Sequence, residues 1–221
     1  MAESRSNSMR IDRPVYLMNG KNKIREEKTL FAVILAAGES KRFGSTKQLA
    51  QFGEEALVTK AVRLAETVCS FRTILVTGND WQSVADECEP LQGFFVFNSE
   101  FREGIATSIH SGLAAISWMA DAALIVLADQ PLITVEHLAK LEAIWLAAPN
   151  SIVATSYAGT AGPPVIFPRS YFPDINALEG DRGAKAMIDD QSNQVELVCF
   201  ENAGIDIDRV EDLHELYDAT F

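Results

Sequence analysis

Two cations, Arg42 and Lys47, stand five residues apart in the stretch AAGESKRFGSTK (36–47), directly behind the apolar run FAVIL. Cationic heads in a glycine-containing loop are suited to gripping a triphosphate and to stabilising charge on a departing pyrophosphate. Gly38 and Gly44 permit either close backbone approach to a ligand or a positive φ, and free N–H groups in such a loop cradle phosphate oxygens. Two familiar phosphate motifs do not fit. A P-loop places its hydroxyl residue after the lysine, whereas Ser45 and Thr46 precede Lys47, and Gly38 and Gly44 are six apart. A dinucleotide fingerprint needs three closely spaced glycines, and only Gly38 stands at the strand exit.

Carboxylates recur where a second charge would be needed. The run ALIVLADQP ends on Asp129, which is either a hard oxygen ligand for Mg2+ or a turn cap ahead of Pro131. In GIDIDRVEDL, Asp206 and Asp208 alternate about Ile207 and so project to one side of a short extended stretch. Either offers a second carboxylate to Mg2+, and Asp208 equally suits the N-cap of a final helix. His110, His137 and His214 fall in helical stretches and read as structural or surface residues. Cys69, Cys88 and Cys199 make no metal-ligand spacing and read as buried free thiols.

These residues need a scaffold, and the chain supplies one from Leu30 onward. Short apolar runs at 30–37, 73–78, 94–98, 123–129, 151–158, 163–167 and 195–200 predict strands. Being apolar at nearly every position, they predict a sheet covered on both faces. Between them, residues 56–69 place Leu57, Ala61, Leu64, Ala65 and Val68 on one helical stripe. Residues 104–119 do the same with Ile105, Ile109, Leu113 and Ile116. Residues 134–148 open on Thr134 as N-cap and bury Leu138, Leu141, Ile144 and Trp145. Shorter helical patterns begin at Trp81, Asp181 and Asp208. The alternation predicts an α/β fold, Rossmann-like, with three αβα layers and a mostly parallel sheet. The runs at 151–158 and 163–167 predict a small antiparallel insertion.

Charge narrows the partners. The chain carries −12 overall, with seven basic and four acidic residues in 1–29 against 12 basic and 27 acidic residues in 30–221. So acidic a body repels nucleic acid; a local cluster of Lys41, Arg42 and Lys47 within it suits a small anionic ligand. Residues 1–29 read as a flexible basic arm ahead of a single catalytic domain at 30–221. No apolar run spans a bilayer and the first residues lack the apolar core of a secretory signal, so the expected location is cytoplasmic, with no membrane partner.

The stretch LAAGESKRFGSTKQL resembles the L-A-A-G-x-S-x-R-x-G-x-x-K signature of the MobA-like nucleotidyltransferases, in their molybdenum-cofactor cytidylyltransferase branch. FNSEFREGIATSIHSGL, LADQP, AGPPVIF, LEGDRGAKAMI and IDIDRVEDL resemble later blocks of that family, in order, over residues 30–215. The resemblance implies a nucleotide-diphospho-sugar transferase-like fold. It also implies transfer of CMP from CTP to a molybdopterin-type cofactor with Mg2+ and release of pyrophosphate, the product passing to a molybdenum hydroxylase or its chaperone. It places Leu35, Ala36, Ala37, Gly38, Gly44 and Lys47 at the nucleotide, and Arg42, Lys47 and Asp129 at the catalytic centre. Asp129, Asp206 and Asp208 fall at metal positions; Asn98, Ser108, Gly162, Pro163, Asp181 and Gly183 fall in the acceptor blocks. Arg209 and Val210 replace the family's usual Thr-Pro, and Lys185 replaces an arginine, keeping charge without bidentate geometry.

Overall fold

The computed structural model describes residues 28–88, 94–190 and 193–220. The basic arm read from residues 1–29 lies outside these except for its last two residues. Strand β1 (Leu30–Ala36) lies inside the main sheet and shows why the chain folds as it does. All seven of its residues are buried. Leu30, Ala32, Ile34 and Ala36 enter one hydrophobic cluster, while Phe31, Val33 and Leu35 enter another on the opposite face. A strand with no polar face must be covered twice.

The first face is covered by α1 (Leu57–Cys69) and, further along, α4 (Val135–Ala147), whose Trp145, Leu138 and Leu141 are fully buried. The second is covered by α3 (Ile105–Ile116), which buries Ile109, Leu113 and Ile116. Thr134 caps α4 as expected, its side chain accepting from the His137 amide. Gly112 lets α3 approach β1 closely, since a Cβ there would lie 2.3 Å from Val33 Cγ1.

Strands β4 (Thr73–Thr77), β5 (Phe94–Phe97), β6 (Ala122–Leu127), β7 (Ile152–Tyr157), β8 (Thr160–Pro168) and β9 (Val195–Cys199) join β1 in one sheet of order β5-β4-β1-β6-β8-β7-β9. Only β8 runs against the others, pairing antiparallel with both β6 and β7. The hairpin expected near 151–167 is therefore built into the sheet itself. A separate two-stranded antiparallel ribbon pairs β2 (Gln51–Phe52) with β3 (Glu55–Ala56). The remaining helices are α2 (Trp81–Glu87), α5 (Phe172–Ile175), α6 (Ala184–Ile188) and α7 (Val210–Thr220). The result is the mostly parallel α/β sheet that the sequence predicts.

Two expectations fail at the sheet's edges. Strand β5 is apolar but not covered: Phe94, Phe95 and Phe97 are exposed. Its position as an edge strand is the reason: α3 meets it only in part, and of its four residues only Val96 packs into the second cluster. Cys199 is likewise exposed on the other edge strand, β9, while Cys69 and Cys88 are buried as expected.

His137 is structural, as its place on a helix implies. Its Nε2 lies 2.8 Å from Thr155 Oγ1, and that hydroxyl donates its proton to the Pro164 carbonyl at 2.6 Å. With the hydroxyl proton committed, Nε2–H must be the donor, and the ring is neutral. Burial, helped by the charge of Lys140, pushes its pKa down to about 4. An unfolded chain takes up this proton near pH 6.5, the folded one only near 4. The corresponding stability is full above pH 6.5 and is lost as pH falls towards 4, by at most about 1.4 kcal/mol per pH unit. In thermal melts between pH 7 and 5, His137→Phe should lose less stability on acidification than the parent; parallel curves would rule this out.

Candidate active site

The C-terminal ends of β1 and β6 lie side by side, because the chain crosses from β1 to β4 in one direction and later returns to β6 in the other. Ligands in open α/β sheets bind where the strand order turns in this way. A cleft of about 310 Å³ opens there, floored by Leu35 and Leu127 and walled by the loop after β1, the start of α3 and Asp181.

The loop after β1 is held in a defined shape. Ser40, at a φ of 54°, accepts from the amides of Phe43 and Gly44 through its carbonyl. Its hydroxyl donates to Gln48 Oε1 and accepts from the Lys47 amide. Gln48, buried, returns a bond from Nε2 to the Gly38 carbonyl. Gly44 takes a φ of 82°, which the turn requires, and has open space around it. Phe43 packs with Phe52, Leu57, Ile207 and Leu213, which fastens the loop to the chain leading into α7.

That anchorage brings the predicted charges together. Lys47 Nζ donates to Asp129 Oδ2 at 2.6 Å, to the Ile207 carbonyl at 2.9 Å and to Asp208 Oδ1 at 3.3 Å. Arg42 Nη2 reaches Asp208 Oδ2 at 2.9 Å. The Ile207 amide in turn donates to the Asp129 carbonyl. Burial works against the Lys47 charge, but Asp129 and then Asp208 outweigh it and hold its pKa above the ordinary lysine range. Asp206, although exposed as a residue, has enough protein around its carboxyl for desolvation, followed by repulsion from Asp129, to push its pKa up to about 6. Asp208 does not cap α7. Asp212 does so instead, accepting from the amides of Asp208 and Arg209.

A hard divalent cation fits this donor set. The carboxylates are oxygen ligands of the kind such ions take, and Asp129 Oδ1 is buried without a hydrogen-bond partner. Among the described residues no three His, Cys, Asp or Glu side chains already surround a metal-sized position; the Lys47 ammonium lies between Asp129 and Asp208.

Of the residues singled out from sequence, Leu35, Ala37, Gly38, Lys47, Ser108, Asp129 and Asp181 line the cleft. Others support it from behind. Ala36 points into the core beside α1. Gly183 caps α6, packed on Ile105. Gly162 sits in β8 under the Tyr157 ring, and the Pro163 carbonyl accepts from Gln130. Asn98, expected at the acceptor, is buried and acts as a brace. Its Nδ2 donates to Thr107 Oγ1 and Ser108 Oγ, and its Oδ1 accepts from the Glu100 amide. Sequence reasoning missed Gln48, Gln130, Phe101 and Arg102. Gln130 was legible only as a member of LADQP and Gln48 only as a polar residue beside Lys47, and Phe101 and Arg102 carried no spacing signal.

The fold is an α/β sheet with its main cleft at the carboxyl ends of parallel strands. Residues 32–195 match the family model described as the MobA-like NTP transferase domain, and the chain belongs to that nucleotidyltransferase family. The purine catabolism protein PucB of Bacillus subtilis (strain 168) is 30% identical over 167 residues, covering 72% of this chain and 80% of that protein. A probable molybdenum cofactor guanylyltransferase of Chloroflexus aggregans is 33% identical over 128 residues, 57% of each chain. Among solved structures, a homologue of Mycobacterium tuberculosis Rv0371c from Mycobacterium sp. strain JC1 superposes with a TM-score of 0.74 at 26% identity. That match covers 86% of this chain and 96% of the other.

Asn98→Ala removes three hydrogen bonds from a buried position and should lower stability by about 2 kcal/mol. Chemical denaturation measures this directly, and an unchanged midpoint would show that the brace carries no stability.

Proposed function

We propose that this protein transfers CMP from CTP to the terminal phosphate of a molybdopterin-type cofactor, with Mg2+, releasing pyrophosphate. The observation that carries the reading is the contact of Lys47 with Asp129 at the rim of the cleft. A polyphosphate cation and a metal-type carboxylate meet across one site, as joining two phosphate compounds requires. The similarity to a probable molybdenum cofactor guanylyltransferase supports the acceptor class.

In this reaction an oxygen of the acceptor's phosphate monoester attacks the α-phosphorus of CTP. The bond from that phosphorus to the oxygen bridging to the β-phosphate breaks, and the electron pair leaves with pyrophosphate. The attacking phosphate is already mostly ionised at neutral pH, so no protein nucleophile is needed. Lys47, with Arg42, stabilises the charge on pyrophosphate. The loop 38–44 presents backbone to the nucleotide, and Leu35, Ala37 and Gly38 form its bed. Asp129, with Asp206 or Asp208, would hold Mg2+, which when bound supplies charge neutralisation at the phosphates. Ser108 and Asp181 line the acceptor side.

A second reading keeps the chemistry and exchanges CTP for GTP, favoured by the guanylyltransferase relative. Incubation of the protein with molybdopterin, Mg2+ and each of four NTPs, with the product identified by mass, distinguishes them. Cytidine dinucleotide is the expected product, and exclusive use of GTP would replace CTP. Asp129→Asn should cut turnover by about three orders of magnitude while leaving the circular dichroism spectrum unchanged; activity within about tenfold of the parent would sink the metal assignment. Lys47→Ala should slow the chemical step by about 10²-fold or more, seen in single-turnover kinetics at saturating CTP.

A further inference from the structure

The proposed reaction joins two polyanions, and a phosphate monoester brings close to two negative charges of its own. Each substrate therefore needs countercharge, yet Lys47 and Arg42 are placed for only one of them. Among the described residues lining the cleft, the cations are Lys47 and Arg102, beside the acids Glu39, Asp129 and Asp181. Lys47 belongs to the loop after β1. Arg102 comes from a different wall, the single turn Phe101–Glu103 that leads into α3.

Resting on the nucleotidyl-transfer reading, we propose that Arg102 binds the terminal phosphate monoester of the acceptor, exchanging Glu39 for it. Three observations carry this. First, the turn bearing Arg102 is braced from beneath. Besides the Asn98 bonds, the Thr107 hydroxyl lies within hydrogen-bond distance of both the Glu100 and the Gly104 carbonyls. Gly104, at a φ of 113°, lies so close to Gly180 that a Cβ would come within 2.2 Å of its carbonyl. The base of the side chain is thus fixed although its head is solvent-exposed.

Second, the guanidinium is stacked 4.6 Å from the Phe101 ring centroid and engages Glu39 Oε1 through Nε at 3.2 Å. Its two terminal nitrogens take no partner among the described residues. They are the atoms of the planar fork that holds phosphate in bidentate fashion. Third, Glu39 does not depend on Arg102. Lys41 Nζ lies 2.7 Å from its other oxygen and, with Arg102 second, holds the Glu39 carboxyl below its ordinary range. An exposed ion pair of this kind is weak, so a phosphate carrying more charge displaces the carboxylate at little cost, and Glu39 stays compensated.

Steady-state kinetics with CTP and molybdopterin varied separately, together with direct titration of molybdopterin by its pterin fluorescence in the absence of nucleotide, tests the assignment. Arg102→Ala should raise the KM and Kd for molybdopterin about tenfold or more while the KM for CTP stays within about twofold and the melting temperature is unchanged. Arg102→Lys should recover part of the loss. Glu39→Gln, which also breaks the ion pair but frees the guanidinium, should not weaken molybdopterin binding. Equal rises in both KM values, no rise at all, or a loss in Glu39→Gln as large as in Arg102→Ala would overturn the proposal. A parent protein that binds molybdopterin through Arg102 but forms no dinucleotide with any NTP would sink the transfer reading and leave Arg102 as the phosphate ligand.

Discussion

One ammonium group holds the site together. Lys47 is mostly buried and gives its donors to two carboxylates and a backbone carbonyl, so that three distant stretches of chain, its own included, meet at one atom. Removing Asp129 would leave a partly desolvated cation with only the longer contact to Asp208, and removing the lysine would leave two carboxylates facing each other with Asp206 close by; both are costly in a partly water-excluded place. Within this strongly acidic protein the cleft gathers Lys47 and Arg102 beside Glu39, Asp129 and Asp181, so the negative field of the remainder is offset there in part.

Those three stretches meet because of sheet order rather than sequence proximity. Strands β1 and β6 are adjacent and parallel, so the residues after each emerge side by side. The segment before α7 is drawn in by Ile207, fully buried against Phe43, and by its amide bond to the Asp129 carbonyl. Apolar burial supplies the adhesion and the backbone hydrogen bond sets the register. The charges then fall into contact with little freedom left to lose.

Much of this was legible beforehand. The two-faced apolar strands and the stripes of α1, α3 and α4 gave the fold, because burial on both sides leaves no polar periodicity to misread. Lys47 and Asp129 were legible as charge types in loops that follow strands, and Asp208 as one of two aspartates alternating about Ile207. The role of Asn98 was not, because a buried brace and a ligand contact demand the same residue type. The capping of α7 by Asp212 instead of Asp208 was equally hidden, since both carboxylates stand within reach of the same helix start and only the pull of Lys47 and Arg42 decides between them. Arg102 escaped because its place in the cleft wall follows from the turn that carries it, which no local pattern records. Exposure of Phe94, Phe95 and Phe97 escaped because an edge strand and a central strand look alike until the sheet order is known.

That edge has a colloidal consequence. Among the described residues strand β5 pairs on one side only and exposes three aromatic rings, with Trp81 leaning on Phe97 at 5.9 Å between centroids. Such an edge is a template for adhesion between molecules, and nothing charged on the strand blunts it. A formal charge of −12 opposes such contact by mutual repulsion, a long-range force that salt screens beyond about 10 Å at 0.1 M. Dilute buffer therefore preserves dispersed molecules, and concentrated salt uncovers the stickiness of a single strand.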